Sequence, residues 1–207
     1  MNSVYYYKKE KDGPTFSKKL DDSEVKKQGK QMASEILSRL RENDDLKDIP
    51  IHFAIYKQSS EDSITPGEFI TQATAEKSQT KLNEWHNINE KSALLPSSTA
   101  ADYDENLNNN FKQFNDNLQS YFSNFTQAVG KVKFVDKKPQ RLVVDLPIDY
   151  YGQAETIGIT QYVTEQANKY FDKIDNYEIR IKDGNQPRAL ISKTKDDKEP
   201  QVHIYSN

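Results

Sequence analysis

Asp104-Glu105-Asn106-Leu107-Asn108-Asn109-Asn110-Phe111-Lys112-Gln113-Phe114-Asn115-Asp116-Asn117-Leu118-Gln119-Ser120-Tyr121 decides how the chain folds. Its apolar side chains fall at Leu107, Phe111, Phe114, Leu118 and Tyr121. The pattern continues to Phe125 and Ala128 in alternating steps of four and three. Only a helix puts such residues on one face. The spacing therefore predicts a helix from Asp104 to Val129, stopped by Gly130. An aromatic stripe can line a ligand groove, but at this spacing it more commonly faces a core. Such a face needs a sheet to cover, and strong β-formers follow directly. Lys131 to Val135 and Arg141 to Leu146 read as a hairpin around Lys137-Lys138-Pro139.

The same order occurs on either side. A helix from Ser23 to Asn43 aligns Val25, Met32, Ala33, Ile36, Leu37 and Leu40, with Asp21, Asp22 and Ser23 as cap candidates and Pro50 beyond its end. Ile51 to Tyr56 and Glu68 to Ala75 follow as strands. A third helix from Ile157 to Ile174 aligns Ile159, Val163, Ala167, Tyr170, Phe171 and Ile174, with Thr156 or Thr160 as its cap. Tyr177 to Lys182 and Arg188 to Lys193 then form a hairpin through Asp183-Gly184-Asn185. Val4 to Tyr7 and Val202 to Tyr205 are terminal strands. Helix–strand–strand thus occurs three times, without appreciable identity between the units. The expected fold is α+β: antiparallel or mixed sheets with three main amphipathic helices packed mainly on one face. We expect a single domain over residues 1–207. A subdomain boundary would fall within 77–101, where Lys77 to Ala101 is poor in periodicity and rich in Ser, Asn and Glu.

Composition narrows the function classes. The hydrophobic fraction is 34%, low for a domain, yet 11% aromatics and a net charge of −3 argue for a folded chain with a thin core. With 29 basic and 32 acidic residues there is no global field for nucleic acid, so no nucleic-acid partner is expected. Lys8, Lys9 and Lys11, and Lys137 with Lys138, read as solvated turns. The chain has no cysteine, hence no disulfide, thiolate ligand or lipid-attachment cysteine of its own. It shows neither a membrane-spanning stretch nor the apolar core of a signal peptide.

Motifs for chemistry are scarce. The three histidines, His52, His86 and His203, show no ligand spacing. Asp102 to Asn106 opens like a calcium loop, but Leu107 and Gln113 stand where glycine and glutamate are needed, so it reads as a helix N-terminus. The seven glycines form no phosphate-binding loop, and no nucleophile elbow occurs. No catalytic residue, metal or cofactor is expected. Two segments suit binding. Glu84-Trp85-His86-Asn87 carries the sole tryptophan, either as a stacking platform or as a plug pinning the loop to the core. Asp149 to Thr156 sets Tyr150, Tyr151, Gln153 and Glu155 before a helix N-terminus. Free N–H groups there favour anionic or hydroxylated ligands; the bland alternative is a packed strand-to-helix turn.

Asp149-Tyr150-Tyr151-Gly152-Gln153-Ala154-Glu155-Thr156-Ile157-Gly158-Ile159-Thr160-Gln161-Tyr162-Val163 resembles the CamS family of Gram-positive sex pheromone lipoprotein precursors. Gly29-Lys30-Gln31-Met32-Ala33, and Ile51-His52-Phe53-Ala54-Ile55-Tyr56 with Pro66-Gly67 downstream, add to the likeness. It covers nearly the whole chain, as the C-terminal region of a longer precursor. The resemblance implies an exported lipoprotein tethered to the outer face of the cell membrane, with the pheromone peptide taken from its signal sequence. That segment and the lipid-bearing cysteine are expected outside this chain, so membrane contact would come only through the anchor. No catalytic residues carry over. The expected function is a non-catalytic extracytoplasmic domain that binds an unidentified ligand or protein through Trp85, His86, Tyr150, Tyr151, Gln153 and Glu155. The alternatives are a cell-wall enzyme with paired carboxylates, Glu84 and Glu155 being first to test, and a cytoplasmic interaction module.

Overall fold

A computed structural model describes residues 1–122, 126–149 and 152–205 and divides the chain into two units, Met1–Glu90 and Lys91–Asn207. The first begins with an antiparallel hairpin of β1 (Val4–Lys8) and β2 (Thr15–Lys19). Helix α1 (Asp22–Arg41) then covers one face of an antiparallel sheet ordered β3 (Ile51–Lys57), β4 (Glu68–Ala75) and β5 (His86–Asn87).

The buried face of α1 is Val25, Gly29, Ala33, Leu37 and Arg41, a strict step of four. Met32 and Ile36, predicted to share it, are exposed. A three-stranded sheet offers only a narrow strip to the helix, and Gly29 sets the approach. A Cβ there would stand 2.7 Å from Ile55 Cδ1. Pro66-Gly67 is explained the same way, since a Cβ on Gly67 would meet the Lys57 carbonyl at 2.1 Å. The expected cap at Asp21 makes no side-chain hydrogen bond; Asp22 instead pairs with Lys57, which holds its carboxyl below the usual carboxylate range.

Arg41 closes α1 from inside. Its guanidinium donates to the carbonyls of Leu46, Lys47 (3.2 Å), Ile49 (2.8 Å), Glu76 (2.9 Å) and Gln79 (2.8 Å). One side chain thereby satisfies the backbone of the two loops flanking the sheet.

The second unit carries a six-stranded sheet ordered β11-β10-β9-β8-β7-β6. In chain order its elements are β6 (Glu90–Leu95), α2 (Ser98–Tyr103), α3 (Glu105–Tyr121), β7 (Val129–Val135), β8 (Lys138–Pro147), α4 (Gln153–Tyr170), β9 (Tyr177–Asp183), β10 (Gln186–Lys193) and β11 (Gln201–Ile204). Strands β8 and β9, joined through α4, pair in parallel, whereas β7–β8, β9–β10 and β10–β11 are antiparallel. Alternate residues Leu142, Val144, Leu146, Ile179 and Ile181 join Phe111, Phe114 and Leu118 of α3 and Ile159, Val163 and Ala167 of α4 in one buried cluster. Phe114 and Phe171 meet at its centre with rings 4.9 Å apart. Both long helices thus cover one face, as the α+β reading expects.

Helix α3 stops at Tyr121, well short of the predicted Val129. Buried Asn115 exchanges two bonds with Ala128, Nδ2 to the carbonyl and Oδ1 from the amide, so the chain is held for its turn into β7. Gly130 lies inside β7, and Phe125 falls outside the described residues. Tyr121 is exposed and stacks on Tyr162 at 4.0 Å. Asp104 caps α3 by accepting from Leu107 N at 2.9 Å, the helix-start role read for it. Neither Thr156 nor Thr160 caps α4. Both lie within it, each donating to the carbonyl four residues back. The helix begins earlier than predicted, and Phe171 and Ile174 are buried beyond its end. The stretch 77–101, read as irregular, contains β5, β6 and the start of α2. Strand β6 is rich in Lys, Ser and Ala, weak β-formers, and owes its form to pairing with β7.

Candidate functional site

Trp85 leads into β5 half-buried, packed against the Val25, Ile55 and Ile70 cluster, with Lys30 Nζ 5.5 Å from its ring. This is the packing of a plug whose outer face is covered by a cation. His86 is exposed in β5 opposite Gln72, and its carbonyl accepts from Thr71 Oγ1 at 2.9 Å. Gln153 is the exposed first residue of α4. Glu155 is exposed too, and its carboxylate accepts from the Gly152 amide at 3.2 Å, half of a capping box. Tyr150 and Tyr151 lie outside the described residues. Trp85 and His86 belong to the first unit, Gln153 and Glu155 to the second.

The sheet face opposite α3 and α4 was not anticipated as a site. Because strand side chains alternate, the residues between the core positions of β8 and β9 share it. Register sets Asp145 beside Arg180, Arg180 beside Leu190 and Leu190 beside His203. Glu178 accepts from Arg180 Nε at 2.5 Å and from Arg141 Nη2 at 3.3 Å. Lys182 Nζ meets Asp145 Oδ1 at 2.7 Å. The bond from Arg180, then Arg141, holds the Glu178 carboxyl below its usual range against the opposing effect of burial, and Arg180 is raised in return.

At one end of this face lies a cavity of about 380 Å³ lined by Gln140, Arg141, Asn176, Glu178, Ser192 and Lys193 among others. Tyr177 also borders it. Its hydroxyl is buried with no hydrogen-bond partner among the described residues, and burial, reinforced by the charge of Glu199, raises its pKa to about 12. Fixed ion pairs and amide groups suit recognition of a polar or anionic group. Glu178, locked as a carboxylate by two arginines, is poorly suited to carrying protons at neutral pH. Among the described residues no cluster of three or more His, Cys, Asp or Glu could hold a metal. The signal for this face was present as Arg141-x-Val143-x-Asp145 and Glu178-x-Arg180-x-Lys182, but only the parallel pairing of β8 with β9 joins the two.

A family model described as CamS sex pheromone cAM373 precursor matches residues 1–199. The solved C-terminal domain of the sex pheromone staph-cAM373 precursor from Staphylococcus aureus is 96% identical, with a TM-score of 0.93, covering 100% of this chain and 63% of that one. A sex pheromone precursor from Lactobacillus salivarius is 26% identical with a TM-score of 0.88, covering 100% and 60%. A crystal structure of a sex pheromone staph-cAM373 precursor gives 25% identity and a TM-score of 0.57, covering 98% and 74%. The chain therefore spans less than two thirds of the first two solved chains. No curated protein matches it. A precursor family of this kind implies a secreted or surface location. No helix among the described residues is long and apolar enough to cross a membrane. With a match across residues 1–199 and this fold in common, the chain belongs to the CamS sex pheromone cAM373 precursor family.

Proposed function

We propose that this chain is the non-catalytic, extracytoplasmic binding domain of a lipid-tethered pheromone precursor, engaging a polar or anionic ligand or a partner protein outside the cell. The observation that carries the binding reading is the open face of the six-stranded sheet, where Arg141, Arg180 and Glu178 are held in fixed geometry beside a cavity. Preorganised charges lower the ordering cost of binding. Trp85 with His86, and the segment of Tyr150, Tyr151, Gln153 and Glu155, are two further proposed contacts, one in each unit. The enzyme alternative is less well supported, because Glu155 is engaged by the Gly152 amide and Glu178 by two arginines.

Location is tested by protease shaving of intact cells carrying the full-length precursor, together with radiolabelled palmitate. Release of the domain and a labelled precursor are expected, and a protected, unlabelled protein would overturn the tether. Binding is tested by NMR titration with a short acidic peptide. Shifts should concentrate at Arg141, Ser192 and Lys193 and disappear in an Arg141→Glu variant; shifts elsewhere, or none, would remove this face as the site.

A further inference from the structure

The N-terminal hairpin shows an outward face that the reading above leaves unused. Register places Tyr5 opposite Lys18 and Tyr7 opposite Phe16, so these four side chains share one side. The rings form a ladder, Tyr5 to Tyr7 at 5.8 Å and Tyr7 to Phe16 at 5.6 Å, with Lys9 Nζ 4.8 Å from the Phe16 ring. Tyr5 is 59% exposed, Tyr7 and Phe16 37% each, and every residue of β2 is exposed. The opposite side holds the hairpin in place: Val4 and Tyr6 are half-buried, and the Tyr6 hydroxyl accepts from Glu61 N at 3.2 Å.

Charge decides what the outward face would meet. Residues 1–20 carry five lysines, Lys8, Lys9, Lys11, Lys18 and Lys19, against two acids, Glu10 and Asp12, a net of +3 on a chain whose total is −3. Aromatic rings flanked by lysines, with apolar bodies and charged tips, match the headgroup layer of a bilayer, where such rings concentrate and ammonium groups reach toward phosphate. A two-stranded ribbon of this kind also gains by resting on a surface, being of marginal stability alone. We propose that the β1–β2 hairpin is a peripheral membrane anchor, laying Tyr5, Tyr7 and Phe16 into the interface of an anionic lipid bilayer while Lys9 and Lys18 meet its phosphates. The sequence allowed membrane contact only through a lipid anchor; the hairpin supplies a second contact from the polypeptide itself. It does not depend on the cavity of the second unit or on lipid modification.

The test is co-sedimentation of the unlipidated 207-residue chain with phosphatidylglycerol–phosphatidylcholine vesicles and with phosphatidylcholine vesicles. Binding is expected to the anionic vesicles alone and to weaken at high salt. Each lysine near an anionic surface contributes roughly fivefold to partitioning, so Lys9→Glu with Lys18→Glu should lower it by about 25-fold or more. Tyr5→Ser, Tyr7→Ser and Phe16→Ser together should lower it about tenfold or more. Circular dichroism and Trp85 emission report whether each variant folds. If the aromatic variant does not, the charge reversal at two exposed positions decides. Absence of the wild-type chain from the anionic pellet, or variants that sediment equally, would overturn the proposal. So would a self-association, seen by sedimentation velocity without lipid, that the aromatic variant abolishes, because the face would then serve a second copy of the chain.

Discussion

Arg41 and Tyr177 are buried polar residues with opposite economies of hydrogen bonding. Arg41 is 7% exposed and donates to five carbonyls. An Arg41→Met variant keeps much of the apolar stem but strands those carbonyls, so the expected loss is about 3 kcal/mol or more, read by urea denaturation. The Tyr177 hydroxyl has no hydrogen-bond partner among the described residues, so Tyr177→Phe should leave stability unchanged or raise it by up to about 1 kcal/mol. The phenol titrates at 10.0 unfolded and about 12 folded. Its contribution is therefore complete below pH 10 and is lost as pH rises from 10 towards 12. The wild type should lose stability through that window more steeply than the Phe variant, measured as melting temperature against pH. An identical slope in both would dissociate Tyr177 from the alkaline loss.

At the scale of elements, legibility followed local periodicity. Helices α1, α3 and α4 and the strands β3, β4, β7, β8, β9 and β10 were readable because each repeats its apolar positions at its own period. Their ends were less so, as the exit of α3 shows. Phe125 and Ala128 continue the helical spacing, but Ala128 is buried next to a strand, bracketed by Asn115 rather than by a further helical turn. An asparagine inside a helix gives no hint that it will bond a backbone thirteen residues away. An Asn115→Ala variant should lose about 2 kcal/mol or more, because both polar groups of Ala128 are left without those bonds in a dry site. Chemical denaturation checks this, and an Asn115→Asp variant should lose at least as much at neutral pH, because it sets a buried charge against the Ala128 carbonyl. The candidate face was legible strand by strand but not as a site. The alternation of charge in β8 and β9 is local, whereas their parallel pairing depends on the α4 crossover.

At the scale of the molecule, the two units differ in how much apolar structure each encloses. The cluster of the first is Val25, Ile55 and Ile70, with Leu20 and Trp85 packed beside it. The second encloses an extended cluster from Ala93 to Ile191 that includes the Phe111, Phe114 and Phe171 rings. Opening free energy follows buried apolar area. In native-state hydrogen exchange the slowest amides should therefore lie in β8 and β9, and those of β3 and β4 should exchange through a lower-energy opening. Equal protection in both sheets would contradict that ordering. Thin cores were expected from a 34% hydrophobic composition, but its uneven distribution was not, because composition averages over the chain.

The carbonyl cradle around Arg41 has a bearing on acid tolerance. A clasp built from an ammonium-type group and a carboxylate opens once protons neutralise the acid, which is the fate awaiting Glu178 and its arginines as pH drops through the lowered carboxyl pKa. Peptide oxygens have no such proton to accept in that range, and the five hydrogen bonds of the Arg41 guanidinium described above all run to them. In an acidifying medium, then, the latch joining the loops around the small sheet stays shut after the surface ion pairs of the larger one have let go.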